Sequence, residues 1–246
     1  MSITKPYYRI YRPGASNTNY ISDSRNINNI GELYRAFKLL EFDLKKIFEF
    51  IEPNDNNLKT YSHRLYEILL RAATEFETNA KEILTANGYT RSGNLEMQDY
   101  RKLNKPCKMS EYEVILDTWS PLPKRIKPFE EWRHSHTINW YQAYNNVKHN
   151  RSTMFNEASL ENVITAISGV LVILYAQIDH IAETGLYREG RTMLLSVENN
   201  GCTNPMFVDT IFNIKRPSSW REYEKYSFDW ETLKTEPEPF QKYNFT

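Results

Sequence analysis

Cysteine is almost absent. Cys107 and Cys202 are the only two in 246 residues, and neither belongs to a Cys-x-x-Cys pair. That excludes a disulfide framework and a cysteine zinc site, and it fits a reducing compartment, so a cytoplasmic protein is expected. Net charge is lacking too, since 31 Lys and Arg balance 31 Asp and Glu. Bulk electrostatics therefore brings neither nucleic acid nor an anionic membrane to this chain, and any such binding needs a local patch. There is no glycine-rich phosphate loop, no Gly-x-Ser-x-Gly elbow and no kinase signature. The opening residues, Met-Ser-Ile-Thr-Lys-Pro-Tyr-Tyr-Arg, hold no apolar run of the signal-peptide kind. One long apolar run exists, Val163 to Ile178, interrupted by Thr165, Ser168, Gly169 and Gln177. It is shorter than the about 20 residues of a membrane span, so it is expected to be a helix buried on all sides, with no membrane partner.

What the chain has instead is aromatic area: 17 Tyr, 12 Phe and 5 Trp. Such side chains fill a core, which identifies a folded globular protein rather than a disordered one. Its length supports one sizeable core without a metal or disulfides.

Tyr7, Tyr8, Ile10 and Tyr11 read as a short strand, stopped by Pro13-Gly14. From Ile30 the spacing turns helical, with Leu33, Phe37, Leu40, Leu44, Ile47 and Ile51 at threes and fours, and Pro53 ends it. A second helix is expected after Thr60 as N-cap, burying Leu65, Leu69, Ala72, Phe76, Ala80 and Ile83, and stopping at Asn87-Gly88. Leu95 to Leu103 reads as a short helix, and Tyr112, Val114 and Leu116 alternate like a strand. The stretch of Pro121, Pro123 and Pro128 reads as irregular, because proline lacks the amide donor. A third helix is expected from about 137 to 150 and a fourth, the apolar one, from about 157 to 184. Beyond it, 193–197 and 206–214 flank Asn199-Asn200-Gly201 as a hairpin, followed by a short helix and a loosely held tail. The expected fold is mainly α: a four-helix bundle over 30–185, an N-terminal extension over 1–29, and short β additions with a tail over 186–246 packed on the bundle.

The chemistry concentrates in Trp140-Tyr141-Gln142-Ala143-Tyr144-Asn145-Asn146-Val147-Lys148-His149-Asn150-Arg151. On a helix Asn145 and His149 share one face, and Tyr144 and Lys148 the adjacent one. His149 and Arg151 fall at a helix C-terminus, where the carbonyl dipole favours cations, and a histidine there holds a proton near neutral pH. Beside Lys148, Arg151 and the Asn145 amide, His149 has the parts for RNA cleavage by the adjacent 2′-hydroxyl: an acid or base, and cations facing the charge at phosphorus. Dipole compensation by cations and packing by Tyr141 and Tyr144 explain the same residues without chemistry.

Three further groups are ambiguous. His134-Ser135-His136 has no carboxylate or cysteine at ligand spacing, so no metal and no cofactor is expected. Lys124, Arg125, Lys127 and Arg133, interleaved with Trp119, Phe129 and Trp132, read either as a groove for single-stranded RNA or as a solvated loop pinned by its aromatics. His63, Glu67, Arg71 and Glu75 step along the second helix by fours as an exposed ladder. If Glu75 faces the third helix, it orients His149 or neutralises Lys148.

Ser-His-Arg-Leu-Tyr-Glu-Ile-Leu-Leu-Arg-Ala-Ala-Thr-Glu-Phe-Glu, then Tyr-Asn-Asn-Val-Lys-His-Asn-Arg, then the apolar helix, resembles the HEPN superfamily over about 60–185. The resemblance implies an all-α bundle, commonly dimeric, of toxin–antitoxin, phage-defence or RNA-processing systems. The motif there is an arginine, usually followed by Asn, Asp or His, with a histidine four to six residues after the arginine. With Asn145 and His149 in the polar and histidine positions, Tyr144 stands where that pattern has arginine, and tyrosine supplies no permanent cation. The resemblance therefore implies a non-catalytic module that binds RNA or a protein partner, or alternatively a metal-independent endoribonuclease using His149 with Lys148 and Arg151. Self-association as a homodimer is expected from the resemblance and from an apolar helix with more surface than one small bundle needs to bury.

Overall fold

The computed structural model describes residues 2–179 and 210–245. His180, Cys202 and the hairpin expected at 193–214, apart from its last residues, lie outside them. Among the described residues the protein is mainly helical with one small antiparallel sheet. The helices are α1 (Ile30–Phe48), α2 (His63–Ala86), α3 (Met97–Tyr100), α4 (Asn104–Cys107), α5 (Asn139–His149), α6 (Arg151–Met154), α7 (Leu160–Ile178) and α8 (Trp230–Leu233). The strands are β1 (Glu113–Leu116), β2 (Lys124–Ile126) and β3 (Phe212–Lys215), in the order β2-β1-β3.

The apolar stripes read from the sequence are the faces that pack. Leu33, Phe37, Leu40, Leu44 and Ile47 of α1 are buried, as are Leu65, Leu69, Ala72, Phe76, Ala80 and Ile83 of α2. α7 is the centre: α2 runs along it, and α1 and α5 pack against it. Ile167, Leu171 and Leu174 have no solvent exposure. Burying each such side chain is worth about 1.5–3 kcal/mol. By length and composition α7 is the one described helix able to cross a membrane, and it is buried inside the protein. Its apolar surface is thus consumed within one chain. Gly169 permits the closest contact on it, since a Cβ there would stand 3.1 Å from the Trp140 ring of α5 and 3.3 Å from Phe129.

Several boundaries differ from the sequence reading. The N-cap of α2 is Ser62, whose hydroxyl accepts from the Leu65 amide at 3.1 Å. The Thr60 carbonyl is engaged elsewhere, accepting from the Leu160 amide at 2.8 Å. The helix expected over 95–103 is broken into α3, a 3₁₀ turn at Arg101–Leu103 and α4. The proline stretch is not wholly irregular: Lys124–Ile126 lie between Pro123 and Pro128, keep their amides, and pair with β1 in the register Val114↔Ile126. On its other edge β1 holds β3, with Val114↔Ile214.

The terminal segments are held more firmly than expected. No strand forms at Tyr7–Tyr11; the contacts there are isolated bridges, Ile3↔Tyr226 and Tyr7↔Gln241. The Tyr226 hydroxyl accepts from the Tyr7 amide at 3.0 Å and donates to the Ile10 carbonyl at 2.8 Å. Phe240 and Phe245 of the tail are buried, and the Tyr243 amide donates to Asn87 Oδ1 at 2.8 Å. Arg9, at φ +54°, reaches Gln177 of α7 at 3.2 Å and Asn29 at 2.9 Å, and pairs with Glu82 of α2. Aromatic area and a satisfied polar network hold both ends on the helices.

Candidate helix-end site on α5

The rotation of α5 is set at its first turn. Trp140 is buried and donates its indole N–H to the Pro128 carbonyl at 2.9 Å. Tyr141 donates its hydroxyl to Glu77 of α2 at 2.5 Å. Burial first, then Glu77, raises the Tyr141 pKa, so the phenol stays a donor. Ala143, Tyr144 and Val147 continue the buried face. Lys148 and His149 are left on the exposed last turn of α5, where cations oppose the helix dipole.

Tyr144 is buried, and Lys148 Nζ donates to its hydroxyl at 2.9 Å while lying 5.0 Å over its ring. That hydrogen bond outweighs desolvation and raises the Lys148 pKa, with Glu77 adding in the same direction. Lys148 is therefore charged at any physiological pH. Asn145 is half-buried, and its neighbour Asn146 donates to Glu157 at 2.9 Å. Arg151, exposed at the start of α6, lies 5.8 Å over the Tyr66 ring. Next to it Phe155 gathers three rings, with centroids at 5.7 Å for Tyr61, 4.7 Å for His63 and 6.0 Å for Tyr66.

The structure thus brings Lys148, His149 and Arg151 to one helix end, with Tyr141 and Tyr144 on the buried side beneath. It does not bring Arg71 or Glu75 there. Arg71 pairs with Asp43 of α1, as Arg64 does. Glu75, whose pKa is raised by burial, has Arg71 and Glu82 as its charged neighbours. The acid of α2 that meets α5 is Glu77 rather than Glu75: it accepts from Tyr141 and acts on the charge of Lys148. An acid flanking the apolar stripe between Ala73 and Ala80 is the sequence signal for it.

The basic proline loop is pinned. Lys124 pairs with Asp55 at 2.8 Å and Arg125 with Glu113 at 3.4 Å, while Trp119, Phe129 and Trp132 are buried. Arg133 donates to the Ser110 carbonyl at 3.1 Å. Among the described residues no three His, Cys, Asp or Glu side chains are placed to hold a metal ion. Comparison with known proteins finds no family model, no curated protein and no solved structure that matches this chain.

Proposed function

We propose that this chain is a HEPN-like four-helix module that binds single-stranded RNA without cutting it, in a cytoplasmic toxin or phage-defence setting. One observation carries the reading: Lys148, His149 and Arg151 are in no ion pair among the described residues, and Arg151, over the Tyr66 ring, is linked through Phe155 to the exposed rings of Tyr61 and His63. Cations that track phosphates beside rings that stack bases are what unstructured nucleic acid requires. The acids nearby are answered, Glu67 by Arg64 and Glu161 by Lys59, both at 2.8 Å. Tyr144 provides no charge of its own, and no described hydrogen bond orients His149 as acid–base chemistry asks.

Labelled single-stranded RNA should bind and remain uncut. Lys148→Ala and Arg151→Ala should each lower the log–log salt slope by about 1, and Tyr61→Ala should cost about 1–3 kcal/mol of binding. Absence of binding overturns the proposal. RNA cleavage that persists in EDTA and vanishes in His149→Ala selects the endoribonuclease reading instead, with Lys148 and Arg151 as phosphate partners.

Pairing with a second copy is assigned to the outer face of α1, because α7 has no apolar surface to spare. Phe42 is 54% exposed there. Arg35, Phe42 and Glu49 recur at seven, hence on one line of the helix. A two-fold antiparallel contact about Phe42 sets Arg35 against Glu49 of the second copy at both ends. In sedimentation, Arg35→Glu should shift dimers towards monomers, and adding Glu49→Arg should restore them. A wild-type monomer at tens of micromolar overturns this assignment.

A further inference from the structure

The run from α3 to α4 borders a basin of about 800 Å³ whose lining includes Arg91, Asp99, Arg101, Lys102, Lys105 and His136. Asp99 is the single carboxylate among the described residues of that lining, and it is fully engaged. Its Oδ1 accepts from the Tyr89 hydroxyl at 2.5 Å, and its Oδ2 accepts from Arg91 at 2.5 Å and from the Glu96 amide at 2.8 Å. Burial alone would raise the Asp99 carboxyl, but these donors outweigh it and hold the pKa below the usual value, and the cation that Asp99 answers is Arg91.

Among the described residues Arg101, Lys102 and Lys105 have only neutral partners or none. Arg101 is held open by the Trp132 carbonyl, at 3.3 Å from Nε and 3.1 Å from Nη2, and by His136 Nδ1 at 3.0 Å from Nη1. A guanidinium can only donate, so Nδ1 accepts and His136 carries its proton on Nε2, another donor. Lys102 donates to the Phe245 carbonyl at 3.0 Å and lies 5.5 Å over the Tyr89 ring. Lys105 is exposed and has no described partner. In a chain of zero net charge, three unanswered cations and a histidine N–H thus meet in one basin.

We propose that this basin binds a phosphorylated small molecule of nucleotide size, its phosphate on Arg101, Lys102 and Lys105. The volume is several times that of a phosphate and lies in the range of small-molecule sites, so the ligand carries an organic part as well. Tyr89 and Tyr243 in the lining offer that part ring surface. Cations that no described carboxylate answers offer a dianion the strong, charge-assisted class of hydrogen bond. The site is independent of the RNA reading: His136 precedes α5 (Asn139–His149), and Lys148 lies about 14 Å along the helix from its first residue.

The test is calorimetric titration of the full chain with adenosine monophosphate, inorganic phosphate and adenosine. The monophosphate should bind saturably, phosphate more weakly, and adenosine not at all. Lys105→Glu, at an exposed residue with no described partner to lose, should weaken the monophosphate by at least about tenfold, and Arg101→Met should do so more strongly. No saturable binding of the monophosphate, equal binding of adenosine, or unchanged affinity in Lys105→Glu overturns the proposal, whatever the RNA assays show.

Discussion

Phe76→Ala should lower the stability of this fold by about 3–5 kcal/mol. Phe76 has no solvent exposure, and five rings stand around it: Phe129 at 5.3 Å, Trp140 at 5.4 Å, Tyr100 at 5.8 Å, Trp132 at 6.3 Å and Tyr141 at 6.4 Å. Those rings come from α3, the turn after β2 and α5, so this one side chain on α2 joins three segments. Truncation removes aromatic contacts and leaves a cavity that rigid rings fill poorly, which places the cost at the upper end for such changes. Tyr141 and Glu77 are the next links, so the Lys148–His149–Arg151 end should also lose its alignment. Urea denaturation checks this, and Phe76→Leu should lose clearly less. A loss under about 1 kcal/mol would mean that the ring cluster does not hold α5.

Arg216→Ala should cost a similar amount, about 3–5 kcal/mol near neutral pH. Arg216 follows β3 and donates from Nε at 2.5 Å to Asp179, the wholly buried residue that ends α7. Burial works against the Arg216 charge, and Asp179 more than offsets it, so the guanidinium pKa is raised. Without Arg216 the buried Asp179 carboxylate loses this cation, so protonating it within the fold becomes easier than in the intact protein. A carboxyl whose folded pKa is moved up in this way recovers stability as pH falls. The deficit of Arg216→Ala should therefore shrink in acid, and adding Asp179→Asn should recover part of it at neutral pH. Equal deficits at acid and neutral pH, with no recovery in the double variant, would remove the buried pair from the account of how the sheet is tied to α7.

Much of the architecture was legible from single segments. The threes and fours of Leu33 to Ile47 and of Leu65 to Ile83 name the buried faces of α1 and α2, because a helix repeats every 3.6 residues whatever it packs against. The continuous run in α7 marks the helix surrounded on all sides, and Asn87-Gly88 marks the end of α2, with Gly88 at φ +80°. The cluster Lys148, His149 and Arg151 was visible for the same reason, since neighbours in sequence at a helix end are neighbours in space.

Lateral choices were not legible. Whether Glu75 or Glu77 meets α5 depends on a rotation of α2 set by Phe76 and its rings, a matter of two residues that the amphipathic pattern allows either way. The basic proline loop reads in sequence either as a groove or as a loop pinned by its aromatics, and the pairing of Lys124 with Asp55, far away, and of Arg125 with Glu113, across a strand, favours the pinned loop. The tail looked loose because its rings are spaced irregularly, yet Phe240 and Phe245 find their pockets on another part of the chain. The basin around Arg101 left no mark in the sequence, since its charge excess is the result of where one carboxylate, Asp99, is spent. Which residues form helices and which of their faces turn inward follows from short-range periodicity and can be read along the chain. Which charges cancel and which stay unanswered depends on the fold, because Coulomb partners are chosen by distance in space and not by position along the chain.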